Sequence, residues 1–177
     1  RSESLRASWG VAPPEPVVLH VGRLAPEKNL EPVVAAFGQI RRIEPRAKLV
    51  FVGDGPARDS LRARCPDAIH AGMRIGEDLA THYASGDVFL FSSLTETFGN
   101  VTVEAMASGL AVVAYDYAAA AEHIIHGRTG MLVGYDDATA FVRLAAVLAT
   151  DRPHIREIGG RARHTAEQLA WGRVVEQ

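Results

Sequence analysis

The chain has 177 residues, 47% hydrophobic and 23% charged, with a formal net charge of −2. That length suits one well-packed domain and is marginal for two, and the absence of a basic excess excludes nucleic acid as an expected partner. A single cysteine, Cys65, excludes an internal disulfide and suits a reducing compartment, so the cytoplasm is the expected location.

In chain order, residues 1–16 close on Ala12-Pro13-Pro14-Glu15-Pro16. Proline removes donors and fixes φ, so this segment is expected to be an extended linker into the first strand. Short apolar runs predict strands at Val17–Val21, Leu49–Val52, Ile69–Ala71, Val88–Phe91, Ala111–Ala114 and Met131–Val133. Between them, apolar residues at helical spacing predict helices over Leu30–Ile43, Ala57–Arg64, Gly76–Ala84, Asn100 to about Ser108, and Ala119–Ile125. Two more are predicted over Asp137–Ala149 and Pro153–Leu169, the last with proline in its first turn. This alternation is that of βαβ units. It predicts an α/β fold, doubly wound, with a mainly parallel sheet and helices on both faces. In such sheets ligands bind beyond the carboxyl ends of the strands, so the residues that follow strands one, two, four and five are the informative ones.

After the first strand comes Gly22-Arg23-Leu24-Ala25-Pro26-Glu27-Lys28-Asn29. Gly22 allows a tight exit, and Arg23 and Lys28 then stand near the start of the next helix, where cations and open amides suit a pyrophosphate. The same residues also suit a solvated loop in which Glu27 pairs with one of the cations. After the fourth strand comes Thr95-Glu96-Thr97-Phe98-Gly99-Asn100-Val101-Thr102-Val103-Glu104. Asn100 is a good N-cap, and the amides of the first turn favour an anion. Two carboxylates beside such a turn grip phosphate poorly, but they suit hydroxyl groups such as those of ribose and hexose. The bland alternative is that Glu96 and Glu104 only cap and solvate the turn.

Glu96 and Glu104 stand in an E-x7-E spacing, accompanied by Gly22-Arg23 and Glu27-Lys28-Asn29. Gly53-Asp54-Gly55-Pro56, Ala84-Ser85-Gly86-Asp87-Val88, Glu104-Ala105-Met106-Ala107-Ser108-Gly109 and His126-Gly127-Arg128-Thr129-Gly130-Met131-Leu132-Val133 follow in order. Together, from Val17 to about Val133, they resemble the retaining glycosyltransferases of GT-B architecture, glycosyltransferase family 4 (group 1 glycosyltransferases). The resemblance implies a carboxy-terminal, donor-binding domain over residues 17–177, with residues 1–16 linking it to a missing amino-terminal GT-B domain. It implies that Arg23 and Lys28 bind the donor's diphosphate and that Glu96 lies near the transferred sugar, which makes these three the catalytic candidates. Nucleotide-sugar binding then falls to Gly22, Gly53, Met73, Arg74, Phe98, Gly99, Asn100, Val101 and Glu104. Within that set Met73 and Arg74 bracket the base, Phe98 to Val101 offer backbone amides, and Glu104 accepts from ribose hydroxyls.

The implied reaction is transfer of a hexose from a UDP- or GDP-sugar, with mannosyl-type donors among the candidates, to an acceptor hydroxyl. The acceptor would be a lipid or glycan received by the other domain, at the inner face of the membrane in the full-length enzyme, and this fragment alone would be inactive. Neither a cofactor nor a metal is implied, and the sequence holds no Asp-x-Asp. Two alternatives are a non-catalytic nucleotide-sugar-binding scaffold and a phosphorylase- or epimerase-like GT-B relative. The chain departs from the family after the fifth strand. Many relatives carry a proline and paired glycines there, before the glutamate that Glu122 would match, whereas here the run is Tyr115-Asp116-Tyr117-Ala118-Ala119-Ala120-Ala121-Glu122. The alanines are expected to start the helix earlier. Alanine-rich versions resemble some mannosyl- and sulfoquinovosyl-type members.

Seven histidines include one close pair, His123 and His126, which is too sparse for a metal site. His20 is expected to be a satisfied core or pocket-edge histidine, and Cys65 an inert thiol. Gly53-Asp54-Gly55 lacks a third glycine at Arg58, so it is no dinucleotide fingerprint. No G-x-S-x-G elbow is present to support a hydrolase. Trp9 and Trp171, near opposite ends of the chain, are candidates to pack against the missing domain.

Overall fold

A computed structural model of the chain describes residues 1–95 and 100–175. In chain order the elements are α1 (Glu3–Ser8), β1 (Val17–Val21), α2 (Glu31–Ile43), β2 (Lys48–Val52), α3 (Arg58–Arg64), β3 (Ile69–Gly72) and α4 (Gly76–Ser85). Then come β4 (Val88–Phe91), α5 (Asn100–Ala107), β5 (Ala111–Tyr115), α6 (Ala118–His123), β6 (Met131–Val133), α7 (Ala138–Thr150) and α8 (Arg152–Val175). A 3-10 turn, Pro26–Lys28, lies between β1 and α2.

The strands form one sheet in the order β3-β2-β1-β4-β5-β6, and every pairing in it is parallel. The chain winds outward from β1 to β3, returns through α4 to the other side of β1, and winds outward again. The expected doubly wound α/β fold is therefore the observed one. Side chains that alternate along the strands feed two hydrophobic layers. Val18, Leu49, Phe51 and Val113 pack with Phe37 and Ile40 of α2 and Phe141 and Leu148 of α7. On the opposite face, Leu19, Val50, Phe89 and Val112 pack with Tyr83 of α4, Met106 of α5 and Ala162 of α8.

The direction of winding reverses between β1 and β4, and such a switch point opens a crevice at the carboxyl edge. These two strands pair only at Val18–Val88 and Leu19–Phe89. At the next position the His20 ring bridges the gap, its Nδ1 3.0 Å from the Leu90 carbonyl oxygen.

Residues 1–16 are not extended throughout, as the prolines suggested. Glu3–Ser8 is helical, with the Ser2 hydroxyl accepting from the Leu5 amide as N-cap. Arg6, 3% exposed, anchors it by donating to Asp87 Oδ2 at 3.0 Å, Ser85 O at 2.7 Å and Glu15 O at 2.7 Å. Trp9 is buried too, its ring 5.7 Å from His82, so it packs within this unit rather than waiting for another domain. The side chain of Trp171 lies outside the described residues.

Candidate functional site

The exits of β1 and β2 are packed backbone to backbone. The Gly22 amide donates to Val52 O (3.0 Å), Leu24 to Asp54 O (2.9 Å) and Ala57 to Leu24 O (2.8 Å). Gly53 has φ 132°, and a Cβ on it would lie 2.0 Å from the Gly22 carbonyl oxygen. Only glycine lets these loops approach so closely. Beside them opens a cleft of about 370 Å³, lined among others by Gly22, Arg23, Gly53, Met73, Arg74 and Leu79. That volume is within the range of small-molecule sites. Met73 is 68% exposed at its rim. Arg74 is held by the Ala71 carbonyl at 2.9 Å and the Asp78 carboxylate at 3.1 Å. Five of the residues expected to bind a nucleotide or its phosphates, Gly22, Arg23, Gly53, Met73 and Arg74, thus share one cleft.

Lys28 points to the switch point, where its Nζ donates to Thr95 O at 3.2 Å and lies 6.0 Å from the centre of the Phe91 ring. Hydroxyl groups pin the loop after β4: Ser92 donates to Asn29 O (2.5 Å), Ser93 to Thr95 O (2.6 Å) and Tyr135 to Leu94 O (2.9 Å). Arg23 faces Glu27 across 3.4 Å, as the solvated-loop alternative had it, and both side chains are exposed. Such a pair contributes less than about 1 kcal/mol, so a diphosphate carrying several negative charges would displace it readily. Beneath the loops His20 is fully buried. Its Nε2 has no hydrogen-bond partner among the described residues, so the histidine is only half satisfied. Burial holds its pKa down at about 4, with Lys28 adding to the effect against the Leu90 hydrogen bond, so the ring is neutral.

Asn100 is the first residue of α5, Val101 is half-buried, and Glu104 stands exposed one turn on. Glu104 Oε2 accepts a 2.9 Å hydrogen bond from the hydroxyl of Tyr83, a residue of α4 that is only 2% exposed. Burial, with the Glu104 carboxylate second, pushes the Tyr83 phenol above its ordinary range, so it remains a donor. Glu96, Phe98 and Gly99 lie outside the described residues.

A profile of the family described as Glycosyl transferases group 1 matches residues 15–151. The chain belongs to that family. It is 36% identical over 177 residues to the sulfoquinovosyl transferase SQD2 of Arabidopsis thaliana, covering 97% of this chain and 34% of that protein. Over 135 residues it is 44% identical to a GDP-mannose-dependent alpha-mannosyltransferase of Mycobacterium tuberculosis, covering 75% of this chain and 34% of that one. The crystal structure of Anabaena Alr3699/HepE in complex with UDP aligns with a TM-score of 0.81 at 28% identity, over 95% of this chain and 49% of that chain. The chain therefore spans between 34% and 49% of the length of these three proteins.

In this glycosyl transferase domain the alanine run after β5 forms a short helix. Ala118 takes φ 47°, a left-handed conformation natural to glycine, and α6 begins there, one residue before its expected start. Among the described residues no group of three or more His, Cys, Asp or Glu is placed to hold a metal. No described helix is long and apolar enough to cross a membrane. Cys65 is buried, and burial raises its thiol pKa. Tyr83 is the residue that sequence reasoning missed. On an amphipathic helix it reads as core, and its partner is 21 residues away.

Proposed function

We propose that this chain is the donor-binding domain of a retaining glycosyltransferase that moves a hexose from a UDP- or GDP-sugar to an acceptor hydroxyl. The observation that carries the reading is the cleft at the carboxyl edge, where Gly22, Arg23, Gly53, Met73 and Arg74 come together next to the switch point. The mannosyltransferase relative named for GDP-mannose and the neighbour solved with UDP support a nucleotide sugar as the ligand, one favouring each base.

In this reading the base lies against Met73 and Arg74, and the ribose hydroxyls donate to Glu104. Arg23 and Lys28, with the first-turn amides at Asn100 and Val101, meet the diphosphate, and Glu96, Phe98 and Gly99 act on the sugar side. No metal or cofactor is needed, because the two cations answer the charge of the leaving group. As the bond from the anomeric carbon to the β-phosphate oxygen breaks, negative charge grows on the diphosphate, where fixed cations stabilise it. The acceptor oxygen bonds to the same carbon on the same face, and its proton passes to the departing phosphate. Glu96 holds the sugar in orientation.

The lengths of the relatives support a second, amino-terminal domain reached through residues 1–16. That domain would receive a lipid or glycan acceptor, and membrane contact at the cytoplasmic face would belong to it. By itself the present chain would bind donor and transfer nothing. The test of mechanism is Arg23→Ala in the full-length protein, with a loss of about 100-fold or more in turnover expected. Turnover within about threefold of wild type would remove the charge-stabilising role. The anomeric configuration of the product, read by NMR, decides retention.

A further inference from the structure

We propose that Tyr83 is a positioning residue for ribose: from within the core it holds one oxygen of Glu104 so that the other faces the ribose hydroxyls of a nucleoside diphosphate. This rests on the reading of Glu104 given above.

The geometry is specific. The Tyr83 ring is locked in the second hydrophobic layer, 6.0 Å from Phe89, and its hydroxyl reaches out to Glu104 Oε2 at 2.9 Å. Glu104 is otherwise exposed, and its Oε1 has no hydrogen-bond partner among the described residues. A solvated glutamate is among the side chains that lose most freedom on immobilisation. Here that ordering is done in advance by a charge-assisted hydrogen bond from a rigid phenol. The phenol gives its one proton to Oε2, which leaves the lone pairs of Oε1 to accept from two vicinal hydroxyls.

The helix that carries Tyr83 also shapes the base cleft. Asp78 holds Arg74, and Leu79 lines the cleft one turn before Tyr83, so the two lie on the same face of α4. A single rigid element therefore sets the spacing between the cleft wall and Glu104. This is a basis for selecting ribose over deoxyribose that packing alone would not provide.

The test is a calorimetric titration of this chain with UDP, GDP and ADP and their 2′-deoxy forms, in wild type, Tyr83→Phe, Glu104→Ala and the double variant. Wild type is expected to prefer the ribonucleotide it binds by about tenfold. Tyr83→Phe, which keeps the ring, should weaken that ribonucleotide several-fold, leave the deoxynucleotide within about twofold, and have no effect in the Glu104→Ala background. Equal weakening of both nucleotides, or an undiminished ribose preference in a Tyr83→Phe protein with wild-type melting behaviour, would overturn the proposal and leave Glu104 in its role. A wild type that does not distinguish the two sugars, with Glu104→Ala binding normally, would remove the role of Glu104 itself and the proposal with it.

Discussion

Ala118, Asn29 and Asp136 are the non-glycine residues of positive φ among those described; Ala118 opens α6 after β5, and Asn29 and Asp136 lie in the connections after β1 and β6, all beyond the carboxyl ends of strands. Left-handed backbone costs an L-residue about 1–2 kcal/mol, and residues held that way cluster at binding sites. Ala118→Gly relieves that cost but loosens the unfolded chain, so the net expectation is a stabilisation of about 0.5–1 kcal/mol in urea denaturation. A destabilised variant would show that Ala118 is not strained. His20 provides a pH signature. In the unfolded chain histidine titrates near its model value of 6.5, whereas in the fold the value is about 4. Above pH 6.5 both states are neutral. As pH falls from 6.5 towards 4, the unfolded chain takes up a proton that the fold refuses, and stability is lost. Between pH 7 and 5 the loss due to His20 should be about 2 kcal/mol. His20→Phe, which removes the titrating group, should lose that much less over the same interval. Parallel pH dependence in the two proteins would contradict a buried, neutral His20.

Among the elements, α1 was the least legible. The strands read easily because each is a short apolar run ended by a turn residue, and Gly22, Gly53 and Gly72 all close strands at positive φ. The six-residue helix α1 has no such signal. Pro13, Pro14 and Pro16, which follow it, argue for extension, and its anchor is Arg6 reaching Asp87 across 81 residues of sequence. Arg6→Ala leaves Asp87 only Arg1 and the Val17 amide and strips partners from two buried carbonyls. Loss of about 3 kcal/mol or more in urea denaturation is expected. A loss below about 1 kcal/mol would make α1 an ornament on the domain. At the site, the strand order pointed to the loop that carries Arg23, whereas Met73 and Arg74 were legible only through the family resemblance; the three line one cleft. The Tyr83–Glu104 bond and the steric demand on Gly53 could not be read, because both depend on how separate elements meet.

At the scale of the whole molecule, the sheet order arranges these loops along one edge. The β1-β2-β3 side forms the cleft with Met73 and Arg74, the β1–β4 switch point holds Lys28, and α5 brings Glu104 alongside through Tyr83. In the proposed reading, a nucleoside diphosphate lies along this edge with its base in the cleft and its charged centre at the switch point. The most direct measurement is a titration of the purified chain with UDP, GDP and ADP beside the matching monophosphates. One diphosphate should bind, more tightly than its monophosphate by at least about tenfold, and Arg23→Ala should erase the difference. Binding of none of them at millimolar concentration, or a diphosphate preference that survives Arg23→Ala, would contradict a nucleotide-sugar site at this edge.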